Sequence, residues 1–147
     1  MIPVAVLGIG SPFGGDRVGW TVVEALRAEA EASWPAVRLA ALDRPGPGLL
    51  PHLEGVGHAV LVDAVRSGAP PGTLHRFRHL DELPAAEPLS SHGFGLAEAL
   101  ALAGRVGVLS EWVVVGVEAD ARTPPAEAVV ARAAQAVREE VAARMSP

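Results

Sequence analysis

The sequence, 147 residues long, contains no cysteine, no lysine and no tyrosine. Without cysteine there is no disulfide, no thiolate metal ligand and no cysteine nucleophile. All 12 basic residues are arginine, which removes the Schiff base, the phosphate-loop lysine and the lysine general base. Long apolar runs are absent, so no segment is expected to cross a bilayer. No basic stripe is visible and the formal charge is −5, which speaks against a nucleic-acid footprint. The chain enters a strand pattern at once, without a charged leader. No signal peptide is expected, and the expected compartment is the cytoplasm. Polar chemistry is left to Asp, Glu, His, Arg, Ser, Thr and backbone amides.

What is present is apolar and patterned. Half of the residues are apolar and a fifth are charged, the composition of a packed domain rather than a disordered chain. One domain of this length buries roughly 70 % of its unfolded surface. The apolar run Val4–Ile9 breaks into a glycine-rich loop, Gly10-Ser11-Pro12-Phe13-Gly14-Gly15-Asp16-Arg17. A helical pattern follows over Val18–Ala30, with Val18, Val22, Val23 and Leu26 on one face, and Pro35 ends it. Val37–Leu42 reads as a second strand, Asp43–Gly48 as a tight loop and Leu49–Leu53 as one or two helical turns. His58–Val65 is a third strand ending in an acid. Thr73–Arg78 alternates as a strand at a sheet edge, and Asp81–Pro88 reads as loop. A helix over Leu96–Ala103, a buried strand over Glu111–Val117 and a long helix over Pro124–Arg144 complete the chain, with the two prolines in the last helix's first turn. Strands alternate with helices, without repeat or linker. The expected fold is a single-domain three-layer α/β/α sandwich around a mostly parallel five-stranded sheet, with one antiparallel edge strand.

Three residues stand where such folds build sites, outside the carboxyl ends of the strands. Asp16 precedes the first helix, where an acid also simply stabilises a helix N-terminus. Asp63 ends the third strand, where it is equally a turn acid paired with Arg66. His92 lies in Leu89-Ser90-Ser91-His92-Gly93-Phe94-Gly95 before a helix, and reads either as a surface loop histidine or as a group that a ligand reaches past glycine. His52, His58, His75 and His79 read as surface or edge residues. Two carboxylates and one imidazole form a ligand set suited to Zn²⁺, Ni²⁺, Mn²⁺ or Fe²⁺, with coordination positions left for water or substrate. A dinucleotide loop is disfavoured, because Pro12 breaks the G-x-G-x-x-G spacing. A serine hydrolase is disfavoured too, since no G-x-S-x-G elbow occurs and Ser110 lacks small neighbours.

Together these segments resemble the hydrogenase maturation endopeptidase family. Val6–Gly19 is similar to that family's G-N-x-x-x-x-D-[DE]-x-x-G opening, Leu61-Val62-Asp63-Ala64 to its strand-end aspartate, and Leu89–Leu96 to its S-x-H-x-x-x-L segment. Val113–Glu118 matches its late strand. The resemblance implies a metal-dependent peptidase that removes a C-terminal extension from the large-subunit precursor of nickel–iron hydrogenase after nickel insertion. It carries the metal-binding and catalytic roles onto Asp16, Asp63 and His92. The implied divalent metal is nickel carried by the precursor, which is the implied partner; no nucleic acid or membrane partner is implied, and a monomer is expected. Three departures accompany it. The first loop is one residue shorter, Ser11 stands where asparagine is typical, and the D-G-G-T-like loop appears as Asp43-Arg44-Pro45-Gly46-Pro47-Gly48. The reading from another class is a non-catalytic module that binds a metal or a small anion at the same rim.

Overall fold

Five strands form one sheet in the order β2-β1-β3-β5-β4. They are β1 (Ile2–Gly10), β2 (Val37–Asp43), β3 (Val56–Val65), β4 (Leu74–Phe77) and β5 (Trp112–Glu118). The computed structural model describes residues 2–12, 14–44, 46–84, 95–109, 111–120 and 122–145. His92 and its Leu89–Phe94 neighbourhood therefore lie outside the described residues. Among the described residues the helices are α1 (Val18–Ser33), the single turn α2 (Leu50–Leu53), α3 (Leu96–Arg105) and α4 (Glu127–Met145).

β1 pairs in parallel with β2 and β3, and β3 in parallel with β5. β4 runs antiparallel to β5 at the edge, as the short Thr73–Arg78 pattern implied. The central strands carry continuous buried runs, Val4 to Gly10 and Ala59 to Val62, because helices cover both faces. On one face α1 and α4 pack Val18, Val22, Val23, Leu26 and Val137 against Val4, Val6, Val60, Val62 and Val115. On the other, Leu49, Leu53, Leu100 and Ala103 pack against Ala5, Leu7, Leu61 and Val114. Each fully buried Val or Leu contributes about 1.5–3 kcal/mol of burial free energy. The expected three-layer α/β/α sandwich is the observed one.

The last helix departs from the expectation at its start. It begins at Glu127, and Pro124 and Pro125 precede it rather than filling its first turn. The Asp120 carboxylate accepts bonds from the Arg122 and Thr123 backbones. A residue before proline is pushed out of the helical region, so Thr123 and Pro124 cannot open the helix. Ala126 takes that place, its carbonyl accepting from Val129 and Val130. A 3-10 turn, Leu80–Glu82, overlaps the start of the Asp81–Pro88 segment read as loop. His58 is not a surface residue. It is 3 % exposed at the start of β3, and burial pulls its imidazole below the usual value.

Two glycines set how α1 lies on the sheet. A Cβ on Gly8 would meet the Gly19 carbonyl oxygen at 2.2 Å, and one on Gly19 would meet the Ile9 oxygen at 2.2 Å and the Val62 oxygen at 2.6 Å. The first turns of α1 thus rest backbone to backbone on β1 and β3. The Trp20 indole adds a bond to the Leu42 carbonyl at 2.8 Å, tying the same end to β2. Helix and strand termini meet at the carboxyl edge of the sheet.

Candidate metal and substrate site

Two backbone hydrogen bonds hold the described residues of the glycine-rich loop after β1. The Ser11 amide donates to the Asp16 carbonyl at 3.1 Å, and the Gly15 amide to the Asp120 carbonyl at 3.1 Å. Gly15 sits so close to the segment after β5 that a Cβ would meet the Asp120 oxygen at 2.2 Å. The chain makes a 3-10 turn, Gly14–Arg17, which continues into α1. That turn fixes Asp16 on the rim with its side chain 26 % exposed.

Asp63 reaches the same rim from β3, one strand over. Its neighbour across the sheet is Gly116 of β5. Burial is the chief cause that pushes the Asp63 carboxyl up to about 7, and the nearby Asp16 charge raises it further. A hydrogen bond from the Ala64 backbone and the Arg66 guanidinium pull the other way, without prevailing. Arg66 Nη2 donates to Asp16 Oδ1 at 2.6 Å. Asp16 and Asp63 are therefore electrostatic neighbours, and the Arg66 charge acts on both. Two carboxylates, one of which holds back the other's ionisation, are a donor set that a divalent cation would relieve.

Among the described residues, no three of Asp, Glu and His converge as a group able to hold a metal ion. The third expected ligand, His92, lies outside the described residues. Asp43 ends β2 beside Gly10, but it is exposed and paired with Arg44 at 3.2 Å. The Arg44 backbone takes φ +39° and donates to the Gly10 carbonyl at 3.0 Å. The departures from the family loop therefore leave Asp43 on the same edge without joining it to the pair. Ser11, where the family has asparagine, is 1 % exposed, and its hydroxyl has no partner among the described residues.

A second polar cluster was not anticipated from the sequence. Glu118, at the end of β5, is 4 % exposed. It accepts from the Ser67 amide at 3.1 Å, from the Ser67 hydroxyl and from His75 Nε2 at 3.0 Å. Burial opposes its ionisation, but these donors hold its carboxyl below the usual range. His75 also stacks on Phe77, centroids 5.2 Å apart. A serine–glutamate–histidine order is not a nucleophilic triad, because the histidine does not contact the serine. The cluster holds the turn after β3, and beside it opens a cleft of about 480 Å³ bordered by Arg66, Ala69, Pro71, Glu118 and Asp120. The available signal was that Glu118, like Asp63, is an acid ending an apolar strand. Its partner His75 follows only from the antiparallel register His75–Gly116.

Comparison with known proteins gives a consistent set of matches. The family model of hydrogenase maturation proteases of the HycI type matches residues 21–145. The hydrogenase expression/formation protein HupD of Rhodobacter capsulatus is 38 % identical over 108 residues, which are 71 % of this chain and 50 % of that protein. The chain thus spans about half the length of this curated relative. Among solved structures, the hydrogenase maturating endopeptidase HybD from E. coli is 27 % identical, with a TM-score of 0.71 over 96 % of this chain and 91 % of that one. HycI from Thermococcus kodakarensis, a [NiFe] hydrogenase maturation protease, shares the fold with a TM-score of 0.73, at 22 % identity over 98 % of this chain and 92 % of that one.

Proposed function

The chain belongs to the hydrogenase maturation protease family, and from that premise we propose that it is an endopeptidase acting on the large-subunit precursor of a nickel–iron hydrogenase. The cleavage releases a C-terminal extension after nickel has been inserted, and the nickel arrives with the precursor as part of the substrate. The observation that carries this reading is the Asp16–Asp63 pair, two carboxylates from adjacent structural elements brought into electrostatic contact at the carboxyl edge of the sheet.

In this reading Asp16, Asp63 and His92 bind the precursor's metal, which places the scissile segment against the rim. The divalent metal supplies Lewis-acid polarisation of a carbonyl. Water adds to that carbonyl carbon, the C–N bond breaks, and the water's protons end on the new amine and carboxyl groups. No side-chain nucleophile is assigned: Ser67, the one hydroxyl in the neighbouring cluster, bonds the buried Glu118 carboxylate rather than an imidazole. The enzyme is a cytoplasmic monomer in this reading.

The test is processing of nickel-loaded precursor by Asp16→Asn, Asp63→Asn and His92→Ala, with the released peptide identified by mass spectrometry. Each variant is expected to lose processing by at least about 100-fold, the scale on which ligand and positioning losses act. Wild-type rates in all three would reject the site. A chain that binds Ni²⁺ but never processes precursor would favour the non-catalytic metal-binding module.

A further inference from the structure

Asp16 is seated against a residue that belongs to no expected ligand set. Asp120 lies two residues beyond β5, and its exposed carboxylate turns back onto its own chain. One oxygen accepts from the Arg122 amide at 2.6 Å and from the Thr123 amide at 3.1 Å, and the other from the Thr123 hydroxyl at 3.0 Å. A short side-chain oxygen reaches amides two and three residues on, which is why Asp and Asn build such turns. The three bonds hold the backbone of Asp120 and Thr123 in one arrangement.

The carbonyls of those two residues frame Gly15. The Asp120 carbonyl accepts from the Gly15 amide at 3.1 Å. A Cβ on Gly15 would meet the Asp120 oxygen at 2.2 Å, the Ala119 Cβ at 2.9 Å and the Thr123 oxygen at 3.1 Å. The glycine is therefore pressed, buried, against both ends of the turn. It immediately precedes Asp16 in the 3-10 turn Gly14–Arg17, and the Asp16 carbonyl takes the Ser11 amide at 3.1 Å. From the Asp120 carboxylate to Asp16 the path is one short side chain, one backbone hydrogen bond and one peptide link. No long, rotatable side chain intervenes.

We propose that Asp120 is a positioning residue for the metal-binding rim: its carboxylate holds the turn on which Gly15 rests and so sets where Asp16 stands. This rests on the reading of Asp16 as a ligand to the precursor's metal. Functional groups work within about 0.5 Å of their productive place, and a displacement of about 1 Å can cost about 100-fold. Asp120 touches neither metal nor peptide in this scheme. It acts through backbone that a Cβ at Gly15 would disrupt.

The experiment compares Asp120→Ala, Asp120→Asn and Asp16→Asn, as full chains, in processing of nickel-loaded precursor well below each variant's Tm. Asp120→Ala is expected to lower kcat/KM about tenfold, the lower end of what supporting partners of metal ligands cost. Asp120→Asn keeps an acceptor oxygen for both amides and is expected to remain within about threefold of wild type. Amide exchange at Gly15, followed by NMR, is expected to quicken about tenfold in Asp120→Ala, while Val23 and Leu26 of α1 keep their wild-type rates. Gly15→Ala strikes the same contact from the other segment and serves, with the same expected loss, if Asp120→Ala does not fold. Wild-type processing by the folded variant overturns the proposal. So does an equal loss in Asp120→Asn, because the acceptor oxygen would then be irrelevant. Exchange that quickens equally at Gly15, Val23 and Leu26 overturns it too, since the turn would then support the whole fold and not Asp16 in particular. Asp16→Asn separates the two levels of inference: if it is inactive while Asp120→Ala processes normally, the positioning role alone falls. Wild-type processing by Asp16→Asn rejects the ligand assignment and the positioning role with it.

Discussion

Gly19→Ala sets two physical effects against each other. Gly19 lies in the first turn of α1, and its φ is not in the left-handed region. Helix propensity alone therefore expects alanine to stabilise the protein by about 0.4–1 kcal/mol. Packing expects the reverse. The added Cβ would lie 2.2 Å from the Ile9 oxygen and 2.6 Å from the Val62 oxygen. Both are backbone atoms of central strands, so neither can turn aside as a side-chain tip could. Moving the Cβ from 2.2 Å out to an ordinary contact of 3.4 Å requires α1 to retreat by about 1.2 Å, opening gaps around Val18, Val22 and Val23. Overpacking of this kind costs about 1–3 kcal/mol, and two rigid oxygens place it at the upper end. The net expectation is about 2 kcal/mol of destabilisation, a Tm lowered by about 4–8 °C for a domain of this size. Gly104→Ala is the matched control, since a Cβ in that α3 position meets nothing closer than the Leu109 oxygen at 3.8 Å. Its Tm is expected to stay level or rise. Thermal denaturation followed by circular dichroism reads both variants. A Tm for Gly19→Ala at or above wild type would refute the backbone-contact account of how α1 is seated, and with it the reason Asp16 stands where it does.

Two further outcomes follow from the charged residues. The Asp63 carboxyl, pushed up to about 7 in the folded protein from an ordinary 3.8, holds its proton more tightly folded than unfolded. Stability from this group is therefore full below about pH 4 and declines as pH rises towards 7. Asp63→Asn removes the decline. Its stability advantage over metal-free wild type is expected to widen between pH 5 and pH 8, by about 1–4 kcal/mol at most, and a gap independent of pH would contradict this. Glu140 behaves oppositely. Its buried carboxylate bonds Arg76 at 2.8 Å and Arg78 at 2.8 and 3.0 Å; burial resists ionisation, but the arginines hold the group below its usual value. That stability is present above the ordinary carboxylate range and is lost as pH falls through the lowered folded value. Glu140→Gln is expected to lose about 1–3 kcal/mol at pH 7, and the loss should shrink in acid. Equal losses at pH 7 and pH 3 would show that the ion pairs are not its source.

The α/β/α class, the element order and the antiparallel edge strand were all legible in the sequence. Apolar runs of strand length such as Ala59–Val62 alternate with 3.6-residue patterns such as Val18, Val22 and Leu26, and each period admits one kind of element. The misread element was the start of α4. Composition placed Pro124 and Pro125 in the first turn, whereas the Asp120 side chain competes for the backbone there. His58 was misread because a polar residue at a strand start carries no local sign of burial.

The sequence by itself determined that the chemistry rests on carboxylates, imidazole and arginine, that Asp16 precedes the first helix while Asp63 ends an apolar run, and that an α/β fold brings both to one edge. These are local properties, written in residue type and spacing. Only the tertiary structure decided that Arg66 lies on Asp16, that burial and the Asp16 charge raise the Asp63 carboxyl, and that Glu118 turns inward to Ser67 and His75. Those contacts join residues 43 to 51 positions apart. They depend on strand register and on α1 resting directly on the sheet, because charges act across ångströms of space and not along the chain.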